Sequence, residues 1–497
     1  MSQAVSQLSD TQSLPALPIG WVWTRLGKIS EINPGFQDDL PEELEVSFVP
    51  MRCVEEVTGK VDLSLSRALA QVRKGYTAFR NGDIIFAKIT PCMENGKTAI
   101  VDNLRNGIGF GSTEFHVIRL IDKQIPRSLI FFFLVQEGFR RDAQMHMTGS
   151  AGQLRVPAGY IQEVSIPLPP LPEQDRIVAK IEELFTRLDA SVEALRKIKT
   201  QLKRYRQAVL RDAFQGKLTQ EWREAHKGEL EPASTLLEHI REKHRKRTGG
   251  KYRELLPLGR SDIPELPEGW VYLTLDYLVS NDRNAIKRGP FGSSIRKEFF
   301  VPRGYKVYEQ GNVIHDDFER GSYFIDDRKF DELKDFEVKT GDVLMSCSGT
   351  VGKIAIVPER VQPGVINQAL LKVTLDSGVV DTLYFTYLLK SKIDEIMLEN
   401  TRGSAMINIS SVKALRQIPL AIASLTEQHR IVEEIERRLS IADNIEKTVD
   451  QSLHQAGRLR QSILKRAFEG KLVPQDPDDE PAEKLLERIR KEGEQQH

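Results

Sequence analysis

Leu171-Pro172-Glu173-Gln174-Asp175-Arg176-Ile177-Val178 opens a stretch that closes on Ala213-Phe214-Gln215-Gly216-Lys217-Leu218, and the 497-residue chain writes this stretch twice. Shifted by 254 positions it returns as Leu425–Leu472, with Glu427-Gln428, Arg430-Ile431-Val432, Arg460-Gln461, Ala467-Phe468 and Gly470-Lys471-Leu472 at the matching places. No gap is needed, and about 19 of 48 positions are identical. Self-similarity of this length is an architectural signal that outranks any local motif.

Both copies read as long helices. In the first, mostly apolar side chains recur at Ile181, Leu184, Leu188, Val192, Leu195, Ile198, Leu202, Tyr205 and Val209. In the second they recur at Ile435, Leu439, Ala442, Ile445, Val449, Leu453, Ala456, Leu459 and Ile463. Each set covers 28 residues in eight steps, a 3.5-residue period that predicts a left-handed coiled-coil seam. Gly216 and Gly470 stand where a left-handed helix cap is needed. Helices of about 40 residues at ~1.5 Å each run about 60 Å. A stripe that long needs a partner. The simplest partner is the other copy, and the alternative is the domain next to each helix.

Working outward, Leu17-Pro18-Ile19-Gly20-Trp21 recurs as Leu266-Pro267-Glu268-Gly269-Trp270, so the duplication includes a globular domain ahead of each helix. Short β-like runs bounded by turn residues are expected at Val46–Met51, Ile84–Lys88, Thr98–Val101 and Phe115–Leu120, with a helix over Arg127–Gln144. Matching runs are Val343–Met345, Lys353–Val357 and Ala369–Thr374, with a helix near Thr382–Leu398. Both domains share Gly-Asp (Gly82-Asp83, Gly341-Asp342) and Gly-Ser-Ala (Gly149-Ser150-Ala151, Gly403-Ser404-Ala405), and otherwise diverge. The expected division is a flexible tail to residue 16, domains over 17–166 and 261–418, helical segments over 167–218 and 419–472, a mobile linker over 219–260 and a C-terminal segment from 473. The fold class is α+β: two α/β domains, each followed by a long helix. For two unlike domains to stand at opposite ends, the helices must pair antiparallel, with pseudo-two-fold symmetry.

Composition is that of an ordinary globular protein, 40% hydrophobic and 29% charged, with formal net charge zero. Charge is uneven: residues 167–260 carry a net +7, whereas residues 1–166 carry −1. Cys53, Cys92 and Cys347 are far apart, which excludes a disulfide framework and a cysteine-rich zinc site and suits a reducing cytoplasm. The longest apolar run, Leu129–Val135, is too short to span a bilayer.

The alternation of variable domain and repeated helix resembles the specificity subunit of type I restriction–modification systems. The resemblance rests on Pro167-Leu168-Pro169-Pro170-Leu171-Pro172-Glu173-Gln174, on Leu202-Lys203-Arg204-Tyr205-Arg206-Gln207-Ala208-Val209-Leu210, on Gly149-Ser150-Ala151-Gly152-Gln153 and on the twice-written Ala-Phe-x-Gly-Lys-Leu. It implies that each variable domain is a target recognition domain reading one half of a split, asymmetric DNA site, and that the helices set the distance between halves. It implies two modification subunits docked on the helices, methylating adenine with S-adenosylmethionine, and restriction subunits adding ATP- and Mg-dependent cleavage of double-stranded DNA. This chain would bind no cofactor or metal itself and would be non-catalytic, cytoplasmic and free of membrane.

Enzymatic readings of local motifs fail one by one. Pro91-Cys92-Met93-Glu94-Asn95-Gly96-Lys97-Thr98 lacks the first glycine of a phosphate-binding loop, and Gly352-Lys353-Ile354 lacks the magnesium-binding hydroxyl. Asn33-Pro34-Gly35-Phe36 lacks the second proline of an amino-methyltransferase motif. His116 and His146 have no metal-site spacing. Candidate DNA contacts are polar residues on glycine-rich loops: Lys97, Ser150, Gln153 and Arg155 in the first domain, and Arg288, Ser293, Ser294, Lys353, Arg402, Ser404 and Asn408 in the second. Gly-Ser-Ala also reads as a structural turn, since both domains keep it. Val178, Phe185, Phe214 and Phe468 are candidate subunit contacts, as apolar residues spare to the seam. The alternative function is a non-DNA scaffold whose paired helices join two protein-binding domains.

Overall fold

The computed structural model describes residues 14–150, 152–229, 231–248, 264–291, 294–348, 350–400 and 412–495. The chain divides into two compact units built from interleaved stretches: residues 1–196 with 450–497, and residues 197–449. Each unit therefore holds one variable domain, one half of its own long helix and one half of the other. This cuts across the sequential borders expected at 166/167 and 418/419.

In the first unit the entry strand Val22–Arg25 pairs antiparallel with the exit strand Ser165–Leu168, closing the domain where it meets the helix. One four-stranded antiparallel sheet runs Ser30–Ile32, Phe115–Leu120, Ile84–Ala87, Thr98–Ile100. A second runs Ser66–Ala68, Glu45–Val49, Ile108–Gly111, Thr77–Arg80, with the middle two strands parallel. The second unit repeats the plan. Val271–Leu273 pairs with Leu420–Ile422. Ile286–Arg288, Leu370–Val373, Val343–Ser346 and Ile354–Ile356 form the four-stranded sheet. Phe324–Ile325, Tyr305–Tyr308 and Gly364–Ile366 form the other, again with a parallel pair, Tyr305–Tyr308 on Gly364–Ile366.

The shared Gly-Asp is a structural turn. Asp83 is buried, accepts the Arg80 N–H at 2.7 Å and receives the Arg119 guanidinium at 2.8 and 2.7 Å. Asp342, equally buried, accepts the Lys339 N–H at 2.7 Å and the Thr374 hydroxyl at 2.5 Å. A buried carboxylate needs such donors, which explains why two diverged sequences keep the pair. The helix expected over Arg127–Gln144 is two helices, Arg127–Leu134 and Glu137–Met145. The first is apolar nearly all round, and its Phe131, Phe132 and Phe133 lie in the core.

The long helices span Leu171–Phe214 and Leu425–Phe468, 44 residues each. In the second unit Arg206 meets Asp443 and, at 2.8 Å, Glu446 of the facing helix, and further along Thr219 donates to Glu427 at 2.7 Å. In the first unit Arg460 meets Asp189, and Arg176 meets Asp479 at 2.6 Å. Rising numbers on one strand meet falling numbers on the other in both units, so the pairing is antiparallel. Arg206–Asp443 and Arg460–Asp189 are the same contact, 254 positions apart on each side.

The seam differs in part from the apolar stripe. Ile181, Leu202, Val209, Ile435, Ala442, Val449, Ala456 and Ile463 are buried. Tyr205, Ile445 and Leu459 are 39%, 42% and 49% exposed, and the next residues, Arg206, Glu446 and Arg460, turn inward instead. An inward charge is tolerable only with a partner. Arg206 has two carboxylates, and Arg460 has Asp189 and lies over the Phe185 ring at 4.1 Å.

The segment expected to be a mobile linker carries two helices, Gln220–Ala225 and Ala233–Thr248. Ile240, with Leu236 and Leu237 beside it, joins the core of the second unit. The echoing C-terminal helix Ala482–Gln495 buries Leu485 and Ile489 in the core of the first. The amphipathic pattern, Leu-Leu-x-x-Ile in one and Leu-Leu-x-x-Ile in the other, outweighs the high charge between. The basic Arg245-Lys246-Arg247 falls in the last turn of the helix Ala233–Thr248, while the tail before residue 14 and Gly249-Gly250 lie outside the described residues.

Candidate nucleic-acid interface

The helix ends decide where each domain's loops are held. Trp21 donates its indole N–H to Glu173 at 2.9 Å, and Trp270 donates to Glu427 at 2.9 Å. Phe468 packs edge-on to Phe133 at 5.6 Å, and Phe214 edge-on to Tyr384 at 5.3 Å. Gly470 and Gly216 have φ of +67° and +70°, and a Cβ on either would run into the Pro18 or Pro267 ring. The end of each helix thus clasps the domain that belongs, in sequence, to the other helix. Phe185 lies edge-on to Phe132 at 5.7 Å. Phe185, Phe214 and Phe468 are each 8% exposed, and Val178 packs partly buried against the first core. These four residues are therefore not spare surface. The heptad pattern could not show it, because the domains that cover them diverge and do not reveal which aromatics face the helix.

The glycine-rich loop of the first domain is the tip of a hairpin. Thr148 and Arg155 exchange backbone hydrogen bonds at 2.9 and 2.8 Å, and the hairpin roots on Lys88–Thr90 through Val156 N–H to Lys88 and Thr90 N–H to Leu154. Gly149 takes φ +130° with the Gln153 carbonyl against it, a position closed to any side chain. Ser150 and Gln153 are exposed at the tip. Arg155 is spent inside the domain: its guanidinium grips both oxygens of Glu114 at 2.9 and 2.8 Å, and holds that carboxyl below its ordinary range. Lys97 donates to the Met51 carbonyl at 3.3 Å. In the second domain Lys353 is exposed on the turn into Ile354–Ile356, while Arg288 reaches the Gln368 carbonyl at 3.4 Å. Ser294 closes a turn onto Phe291, which is 88% exposed. Ser293, Arg402, Ser404 and Asn408 lie outside the described residues.

The methyltransferase-like Asn33-Pro34-Gly35-Phe36 has a structural role. Asn33 accepts the Val117 N–H at 3.0 Å and its side chain meets His116 Nδ1 at 3.0 Å. The buried His116 imidazole also contacts the Val156 carbonyl at 2.8 Å, and burial lowers its pKa. This loop walls a cleft of about 520 Å³ between the two sheets of the first domain, lined among others by Phe36, Arg73, Lys74, Tyr76 and Lys88. No sequence motif flags these cations, because Arg73 and Lys74 come from one bend and Lys88 from a strand end fourteen residues later. Among the described residues no His, Cys, Asp and Glu group could hold a metal ion, and no helix is long and apolar enough to cross a membrane.

Comparison with known proteins bears on this arrangement directly. Residues 18–204 and 294–455 match the family described as type I restriction modification DNA specificity domain. The chain is 29% identical to the type I restriction enzyme EcoAI specificity subunit of Escherichia coli, over 92% of this chain and 85% of that one. It is 27% identical, with the same coverage, to the EcoEI specificity subunit of Escherichia coli. The fold matches that of the HsdS subunit from Thermoanaerobacter tengcongensis with a TM-score of 0.53 at 19% identity, covering 93% of this chain and all of that one. It matches a chain from a structural study of assembly and conformational transition of the type I R-M system with a TM-score of 0.61 at 20% identity, covering 92% and 100%.

Proposed function

Because the chain belongs to the type I restriction–modification DNA specificity family, we propose that it reads a bipartite, asymmetric site on double-stranded DNA, one half-site per variable domain, and does no chemistry itself. The observation that carries this is the duplicated frame with unlike loops. Strand order, the Asp83 and Asp342 turns and the helix-end clasps repeat in both units, whereas the loop side chains do not. A frame kept constant while its loops vary is what two independent readers joined in one chain require. Dimeric DNA readers fix half-site spacing through symmetry. An internal repeat does the same without demanding a palindrome.

On this reading two modification subunits supply S-adenosylmethionine-dependent adenine methylation, and restriction subunits supply ATP and Mg chemistry. They dock against the paired helices, where Tyr205, Ile441 and Ile445 in the second unit and Leu459 in the first are 39–49% exposed. The purified chain alone should transfer no methyl group and cut no DNA. The chain assembled with modification subunits should bind duplex DNA with an affinity that falls steeply and linearly in log–log form as salt rises. A protein scaffold would show no salt-dependent duplex binding, and methylation or cleavage by the chain alone would refute the non-catalytic role.

A further inference from the structure

The first domain carries a net charge of −1 over residues 1–166. Its inter-sheet cleft nonetheless has Arg73, Lys74 and Lys88 on its walls and no carboxylate. Nearby acids are already engaged. Asp38 is held by Arg80 at 2.5 Å, and Glu114, beside Lys88, by two of the three guanidinium nitrogens of Arg155. Lys88, half-buried at the end of strand Ile84–Ala87, makes no side-chain hydrogen bond or salt bridge among the described residues, and Lys74 is exposed at the rim. Arg73 donates one N–H to the Asp38 carbonyl at 2.8 Å, which fixes it without neutralising it.

We propose that this cleft seats backbone phosphates of the DNA half-site read by the first domain, with Lys88 inside and Arg73 and Lys74 at the mouth. This rests on the DNA-reading function above and names where it is anchored. The ligand chemistry follows from what the walls can still offer. The rings belong to the apolar core beneath the cleft, Phe36 packing edge-on to Phe110 at 5.2 Å and Tyr76 edge-on to Phe48 at 5.1 Å. Asn33, the one amide on the wall, is committed to Val117 and His116. Uncommitted positive charge remains, and that recognises phosphate, not base edges. Arg155 gains a role as a positioning residue, since it occupies the Glu114 carboxylate that would otherwise pair with Lys88.

The second domain does not repeat the device. Lys88 N–H bonds the Glu114 carbonyl as Cys347 N–H bonds the Ala369 carbonyl, and Cys347 is fully buried. The lysine at this position of the frame is therefore peculiar to the first domain.

The test uses the full chain in complex with modification subunits, a duplex carrying its methylated site, and a duplex lacking it. The triple variant Arg73→Ala, Lys74→Ala, Lys88→Ala should weaken binding on the order of 10–100-fold on both duplexes, and lower the salt slope by about 0.9 for each phosphate no longer neutralised. Lys74→Glu, which alters an exposed side chain and leaves the fold alone, should weaken both about tenfold. An unchanged slope with Lys74→Glu and the triple variant overturns the proposal while leaving the DNA-reading function standing. A changed half-site sequence at unchanged slope also overturns it, since the cleft would then read bases. If the wild-type complex binds neither duplex, the function and the cleft fall together.

Discussion

Glu427→Ala is expected to destabilise the second unit by about 3–5 kcal/mol, the usual loss when one partner of a buried ion pair is removed. Glu427 is 2% exposed and gathers three donors: the Trp270 indole at 2.9 Å, the Thr219 hydroxyl at 2.7 Å and the Arg223 guanidinium at 3.0 Å. Without it the Arg223 guanidinium, 11% exposed, keeps the Gly216 carbonyl and the Thr219 hydroxyl but has lost its one carboxylate partner among the described residues. The repeat-equivalent Glu173 behaves oppositely. It keeps the tryptophan, but Val473 and Pro477 stand where Thr219 and Arg223 would be, and its Oε1 has no hydrogen-bond partner. Burial pushes its pKa above the ordinary carboxylate value. A folded-state pKa raised above the unfolded one means that the folded chain binds the proton more tightly. Stability is therefore highest below the unfolded value and falls as pH rises towards the raised folded value. Glu173→Gln should remove that slope and leave stability at neutral pH unchanged or improved by up to about 1 kcal/mol, whereas Glu427→Gln should cost about 2–4 kcal/mol. Thermal unfolding of both variants across pH 4–8 checks this, and equal losses at the two sites would contradict the asymmetry.

Lengthening both helices together should lengthen the unspecified gap in the DNA site. A seven-residue insertion preserves the 3.5 period and so returns the seam to the same face. One insertion within Leu188–Leu202 and one within Ala442–Ala456 keep the two strands matched. Each adds about 10 Å at ~1.5 Å per residue, and DNA rises ~3.4 Å per base pair. The preferred gap should grow by about three base pairs, with both half-site sequences unchanged. The added DNA also turns one half-site by roughly a quarter-turn or more, given 10–10.5 base pairs per turn, so the rate of methylation should fall although the preference moves. A single insertion should misalign Arg206 with Asp443 or Arg460 with Asp189 and lose the complex. A folded, DNA-binding complex with paired insertions and an unmoved gap would contradict the ruler.

The long helices and their antiparallel sense were legible in the sequence, because period and repeat are local signals, and so were the central strands of the two larger sheets; short strands such as Ser66–Ala68, Thr77–Arg80 and Tyr305–Tyr308 carry too few residues to show an alternation and were missed. Phe115–Leu120 is found as expected, and Ile84–Ala87 to within one residue. The seam was legible only to one residue, since Arg206 and Arg460 enter it by reaching carboxylates on the opposite strand, which no single-strand period reveals. The helix-end clasps were hidden for a related reason. Phe468 is covered by Phe133, more than three hundred positions earlier, and nothing near Phe468 announces it. Candidate DNA contacts were the least legible. Arg155 has the residue type and loop expected of a reader, yet Glu114, 41 positions away, takes both of its arms. Lys88 sits in no motif and is left available for that same reason.

The central claim is that each variable domain reads its own half-site from a common frame. It is tested most directly by replacing residues 17–165 with the equivalent domain of a relative and mapping methylated adenines across the genome of cells that also express the modification subunit. The expected result is a new sequence in one half-site, with the other half-site and the gap between them unchanged. A change in both halves, or in neither, would contradict it.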